Sequence, residues 1–237
     1  TELILNFLTA DDPLGTHKGF LRVAAKIHKP GNPGRPIVSA CSCPTELISS
    51  YLDKIMAPIV KTLPSYIKDS QHALEIFGDF SFLGQNKLIF TMDIISLYTV
   101  IPNDEGLGPS NIFSIIALLS QPETLLRLAE LVLTLNRFSF GGNYYIQTNG
   151  VAMGTKTHMD PASQLFVDFI EHQFFSQHHG PKPELYGRYI DDWIGATSFT
   201  KEELTQFITA VISFHPALKY TWEISDTSLA FLDIKIS

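Results

Sequence analysis

The chain has 237 residues, 45% of them apolar, and a formal net charge of −7. That is enough apolar material for one large core or two modest ones, which excludes a disordered, collagenous or disulfide-scaffold protein. No run approaches the roughly 18 apolar residues of a membrane span, and the N-terminus shows neither a basic leader nor a cleavage site. Cys41 and Cys43 are too few and too close for a structural zinc site, and a C-x-C pair makes a poor disulfide, so both read as idle thiols in a reducing compartment. The chain starts on Thr1 rather than Met and stops within LAFLDIKIS, so both ends read as truncated.

In chain order, residues 19–39 predict two strands joined by the Pro/Gly-rich turn KPGNPG. Arg22, Lys26, Lys29 and Arg35, with His28 among them, fall in this stretch. They make a local basic patch available on an acidic chain. Pro44-Thr45-Glu46 is a helix start, followed by an apolar face of Leu47, Leu52, Ile55, Met56 and Ile59. A loop lies near 78–86. KLIFTMDIISLYTVIP then opens with a nearly all-apolar run, expected for a strand buried on both faces, with Asp93 at its end. Residues 103–109 read as a loop, and 110–120 and 122–136 as helices. RFSFGGNYYIQ predicts a hairpin turning at Gly141-Gly142, and QLFVDFIEHQFF a helix. LYGRYIDDWIGATSF predicts a second hairpin, turning near 190–192. Thr200-Lys201-Glu202-Glu203 is a capping-box start for a helix to about Phe214. KYTWEIS and LAFLDIKIS read as two last strands. Helices on an antiparallel sheet give an α+β class.

The sharpest local signal is Tyr189-Ile190-Asp191-Asp192. Two adjacent acids at a tight turn between apolar strands repel each other in a dry site, and a bound divalent cation offsets that repulsion. Mg²⁺ suits carboxylates that share it with water and phosphate, and two such ions stabilise both oxygens of a phosphoryl transfer. The plain alternative is a solvent-exposed acidic turn. The surroundings favour the cation: Asp93 ends an apolar strand, Tyr98 follows five residues on, and Gly150-Val-Ala-Met-Gly154-Thr155 lies between the two acidic sites. His172, His178 and His179 match no zinc spacing, and the last two fall in a Gly/Pro loop, so an exposed loop is the reading there rather than a metal site. Trp193 and Trp222 read as packing residues, and Asp11, Asp12 and Asp226 as turn residues.

The order RPIVS, D-x-x-x-x-Y, GVAMGT, YIDD and FLD resembles the reverse transcriptase family. The wording KIHKPGNPGRPIVS, SLYTVIP, NGVAMGTK and KYTWEIS…LAFLD is similar to Penelope-like retroelement reverse transcriptases, relatives of telomerase. The resemblance runs from about residue 19 to residue 236. It implies a right-hand polymerase: fingers over 1–87 with part of an N-terminal extension, palm over 88–237 with fingers helices inserted at 103–136, and a thumb missing or only begun. The implied activity is RNA-directed DNA synthesis, adding dNTPs to a primer 3′-hydroxyl with two Mg²⁺ ions, Mn²⁺ being a substitute. An RNA template, a DNA primer and dNTPs are the implied partners, with no membrane, in an intracellular, nuclear setting. The GIY-YIG nuclease often joined to such enzymes is not in these residues.

By position, the resemblance makes Asp93, Asp191 and Asp192 the catalytic, metal-binding aspartates, with Asp191 the better ligand of the adjacent pair. The Ile94 carbonyl is a further ligand. Tyr98 falls at the steric gate that favours deoxynucleotides, the alternative being an ordinary strand aromatic. Arg35 matches the arginine that contacts the triphosphate, a task suited to its planar fork, and Lys26 or Lys29 the accompanying lysine. Met153-Gly154 stands where many relatives have Gln-Gly, and Gly150 and Gly154 allow close backbone approach. Phe231-Leu232-Asp233 resembles the primer-grip turn. Two stretches depart from the pattern: Ala24-Ala25-Lys26 for Leu-Pro-Lys, and MGTKTHMDPASQLF, one residue longer than usual. In the latter, Asp160 adds negative charge and Ser163-Gln164 replaces a small residue and Asn. Two other readings accompany the resemblance: a catalytically weak or inert remnant whose palm still binds nucleic acid, and an RNA-dependent RNA polymerase.

Overall fold

The strand that carries Asp93 is the centre of a four-stranded sheet, and its apolar run explains why. β4 (Leu88–Ile94) is flanked on both edges by partners, so its backbone is fully laddered, and Phe90, Met92 and Ile94 alternate onto a buried face. The computed structural model describes residues 7–9, 19–25, 34–39, 43, 45–102, 122–135, 137–148, 150 and 160–237. Their elements are β1 (Phe7–Thr9), β2 (Gly19–Ala25), β3 (Gly34–Ser39), α1 (Glu46–Val60), α2 (Ser70–Asp79), β4, α3 (Leu97–Val100), α4 (Pro122–Thr134), β5 (Arg137–Phe140), β6 (Asn143–Gln147), α5 (Asp160–Gln177), β7 (Leu185–Tyr189), β8 (Asp192–Thr197), α6 (Lys201–Phe214), β9 (Tyr220–Ser225), β10 (Leu229–Phe231) and β11 (Ile234–Ile236).

The chain divides into two compact units, one of residues 1–57 and 98–166, the other of 58–97 and 167–237. The first holds a five-stranded sheet in the order β1-β6-β5-β2-β3, antiparallel except for the β2–β5 pair. β2 and β3 form the expected first strand pair. The β5–β6 turn falls on Gly141 and Gly142, both at positive φ (58° and 80°), as a two-residue type I′ turn requires.

The second unit is built on the antiparallel sheet β7-β8-β4-β9, with β10–β11 as a separate hairpin. Strand alternation puts Phe90, Met92 and Ile94 of β4 on one face with Trp193 of β8. α6 covers that face through Phe207, whose ring lies 6.4 Å from Phe90, and α5 joins through Phe174, 5.8 Å from Phe207. The opposite face carries Ile194, packed with Ile67, Ala73 of α2, and Phe231 and Ile236 of the β10–β11 hairpin. α6 starts on the predicted capping box: the Thr200 hydroxyl accepts from the Glu203 N–H (3.2 Å), and the Glu203 carboxylate accepts from the Thr200 N–H (2.8 Å).

Three expectations need correction. Leu47 is 82% exposed, because the buried stripe of α1 runs through Ser49, Leu52, Met56 and Val60, and Leu47 lies off that helical spacing. LAFLDIKIS is not one strand: it reverses at Leu232-Asp233, with Leu232 at φ 53°. Trp222 is not a packing residue but 43% exposed on the edge strand β9. Among the described residues no helix is long and apolar enough to cross a membrane.

Candidate active site

β4 and β8 pair in a register that sets Asp93 directly opposite Asp192. Opposed residues of an antiparallel pair leave the same face, with Cβ atoms about 4.5–5.5 Å apart. β7 and β8 are joined by the two-residue turn Ile190-Asp191. The Asp191 carbonyl accepts from the Ile94 N–H at 3.0 Å, which ties the acidic turn to the end of β4. The structure thus brings together Asp93, Asp191, Asp192 and the backbone of Ile94. The aspartates are an in-register pair plus a third residue on the adjoining turn.

Ile190 has φ 56°. For a β-branched side chain that region costs about 1–3 kcal/mol, so the turn holds its shape only because its surroundings impose it. Positive φ at the first central position alone is what a type II′ turn needs, and such turns match the twist of the strands they join.

The acidic face opens into a cavity of about 230 Å³, lined by Asp93, Asp192, Thr221, Trp222, Glu223 and Leu232 among others. β9 pairs with β4 so that Thr221 stands opposite Asp93 and Glu223 opposite Thr91, on the acidic face. Sequence reasoning missed Glu223 and the exposed Trp222. Alternation in YTWEIS fixes which residues share a face, but not that this face meets Asp93 until the strand pairing is known.

Two carboxylates directly opposed across strands repel each other. Among the described residues, no group of three or more His, Cys, Asp or Glu side chains converges as a closed metal site would. Mg²⁺ does not need such a cage, since it takes one or two carboxylates and fills its shell with water and substrate phosphate. The Asp93–Asp192 pair beside a cavity fits that cation and not a structural metal.

Behind the acidic turn, on the helix-covered face, lies a buried ion pair that the sequence did not reveal. Arg188 of β7, 2% exposed, meets Glu171 of α5 at 3.2 Å (Nε to Oε2). Asp168, one helical turn earlier on α5, is partly buried. Burial first, then the Glu171 charge, raises its carboxyl pKa above the usual value, and Arg188 and His172 pull it partly back. A carboxyl raised in this way favours the fold fully below its unfolded pKa and loses that contribution as pH rises through the folded one. Asp168→Asn is therefore expected to raise the melting temperature at neutral pH. At about pH 2.5, well below the unfolded-state pKa of about 3.9, the carboxyl is protonated in both states and the advantage disappears. Thermal melts at the two pH values check this.

The other predicted residues lie in the first unit. Tyr98 is half-buried in the short helix α3 rather than in a strand. Gly150 is beside it, with φ 79° and its N–H donating to the Ile101 carbonyl at 2.9 Å. A Cβ there would collide with the Tyr98 carbonyl oxygen and with the Thr99 backbone, so only glycine fits. Arg35 is in β3, opposite Ala24 in register. Ser163 and Gln164, in the departing stretch, are buried on α5. Lys26, Lys29, Met153 and Gly154 lie outside the described residues, as does the predicted helix over 110–120.

No family model and no curated protein matches the chain. Solved structures do. Telomerase from Candida albicans, in complex with a fragment of telomeric RNA, matches 97% of this chain and 46% of its own at a TM-score of 0.73 and 10% identity. Telomerase from Candida tropicalis, truncated of its C-terminal domain, matches 98% of this chain and 55% of its own (TM-score 0.69, 11% identity). The RNA-dependent RNA polymerase of BmCPV in its elongation state matches 93% and 21% (TM-score 0.62, 12% identity). The chain therefore spans about half, or less, of the length of these structures. At such identities the likeness is one of fold. This chain has the α+β fingers-and-palm fold of template-directed polymerases.

Proposed function

We propose that this chain is the fingers-and-palm core of an RNA-directed DNA polymerase of the Penelope-like kind, acting on a primer 3′-hydroxyl and dNTPs. The observation that carries the reading is the β4–β8 register. It sets Asp93 against Asp192 on an open face of the palm-like sheet, with Asp191 on the adjoining turn. An RNA template agrees with the telomerase likeness, one member of which was solved with telomeric RNA.

In this mechanism Asp93 and Asp192, with Asp191 and the Ile94 carbonyl, would hold two Mg²⁺ ions, which when bound would supply charge stabilisation to the oxygens of a phosphoryl transfer. The chain's own contribution is position: β4 and β8 fix the carboxylate separation before substrate arrives, so little reorganisation remains for the reacting state. Arg35, with Lys26 or Lys29, grips the triphosphate. Met153 and Gly154 border the nucleotide, and Tyr98 limits it to the deoxy sugar. The fingers are assigned to 1–87 and the palm to 88–237, with fingers helices inserted at 103–136.

Primer extension on a homopolymer RNA template with Mg²⁺ or Mn²⁺ tests the reading, and absence of incorporation with either ion overturns it. RNA retention without incorporation selects a binding module instead. The viral RNA polymerase likeness supports a second reading, RNA synthesis. Tyr98→Ala decides between them. In a DNA polymerase it is expected to relax discrimination against ribonucleotides by at least about tenfold. An RNA polymerase prefers rNTPs with or without the substitution. Paired dNTP and rNTP kinetics give the answer.

A further inference from the structure

We infer that Glu171 and Arg188 form a positioning device for the acidic turn, setting where Asp191 and Asp192 stand relative to Asp93. The inference rests on the proposed metal-binding role of those aspartates. One Glu171 carboxylate holds both arms of the β7–β8 hairpin. Its Oε2 accepts from Arg188 Nε, three residues before Asp191, at 3.2 Å, and its Oε1 accepts from Trp193 Nε1, the residue after Asp192, at 2.7 Å. The Ser65 hydroxyl also donates to Oε2 at 3.0 Å. Arg188 carries the grip into the turn, its Nη1 donating to the Ile190 carbonyl at 3.0 Å. Its backbone is fixed as well, with the Ile67 N–H donating to its carbonyl at 2.8 Å.

The turn is thus held at two successive carbonyls, Ile190 by Arg188 and Asp191 by the Ile94 N–H. The strained φ of Ile190 shows that its sequence does not choose this shape unaided. Stability alone is a weak reason to bury such a pair, since well-packed neutral residues of similar volume often serve as well or better. A guanidinium that reaches the turn carbonyl does something those residues cannot. It fixes the carboxylates behind which it sits, as partners outside a metal's own ligands commonly do.

The double variant Arg188→Met, Glu171→Gln removes both charges together, keeps side-chain volume, and leaves an acceptor for Trp193. Its melting temperature is expected close to wild type, above that of either single variant, which strands one buried charge. Mn²⁺ binding, followed by electron paramagnetic resonance, is expected to weaken by about ten- to a hundredfold. The kcat for dNTP incorporation falls with it, while KM stays within about twofold. Recovery of Mn²⁺ affinity and kcat together with the melting temperature overturns the inference and leaves a structural ion pair. If the double variant does not fold, Arg188→Lys decides: it can keep the ion pair but lacks the second nitrogen that holds Ile190, and the same losses are expected. A wild type that binds Mn²⁺ but incorporates nothing defeats the polymerase reading alone, and the Mn²⁺ titrations still test positioning. A wild type that binds no Mn²⁺ defeats both.

Discussion

Asp93→Asn is expected to lower Mg²⁺-dependent dNTP incorporation by at least about a thousandfold while the melting temperature stays at or above wild type. The two halves of this outcome have one cause. Asp93 and Asp192 are opposed across β4 and β8, and like charges in that position work against the sheet. Removing one charge relieves that repulsion at almost constant volume. On the proposed reading a bound cation would lose a ligand charge at the point where transferred phosphate accumulates negative charge, so turnover has most to lose. Asp191→Asn is expected to match it in activity. The Asp191 backbone carbonyl that accepts from Ile94 is untouched, so the turn persists. Primer extension and thermal melts on the same preparations check both halves. Unchanged extension by either variant removes these aspartates from the mechanism.

What the sequence made visible, and what it hid, follows from where each signal resides. The β5–β6 turn was legible because Gly141-Gly142 supplies the two positive φ values that its turn type demands. α6 was legible because both halves of its capping box lie within four residues. The acidic hairpin was legible from two acids bracketed by apolar strands. The β10–β11 reversal was legible only through the resemblance, which put a turn at 231–233; the local pattern hid it, because Leu232 takes positive φ with neither Gly nor Asn to announce it. Packing of Phe231 and Ile236 against Ile67 and Ala73 accompanies that reversal, and no local pattern encodes it. α2 went unread for a related reason. It is ten residues long, with one fully buried residue, Ala73, and its start rests on the Asp69 carboxylate accepting from the His72 N–H at 2.9 Å. The Arg188–Glu171 pair spans two elements, and only the packing of α5 on the sheet reveals it.

The second large effect is expected at Gly195, and it is the converse of the first. Gly195→Ala should destabilise the protein by about 3 kcal/mol or more and carry activity away with it. Gly195 is opposite Phe90 in the β4–β8 register, on the face that α6 covers. A Cβ there would stand 2.7 Å from the Leu185 carbonyl oxygen and run into the Phe90 ring. Neither neighbour yields easily. The carbonyl belongs to β7, paired with the same strand, and Phe90 is fully buried against Phe207. The strain can be relieved only by parting β8 from β4 or β7, and the β4–β8 ladder is what holds Asp93 opposite Asp192 three residues away. Denaturant unfolding should therefore show a lower midpoint with unchanged slope, and primer extension by the folded fraction should fall as well. A Gly195→Ala protein of wild-type stability would mean that β4 and β8 do not pair in this register. The opposition of Asp93 and Asp192, on which the functional reading depends, would fail with it.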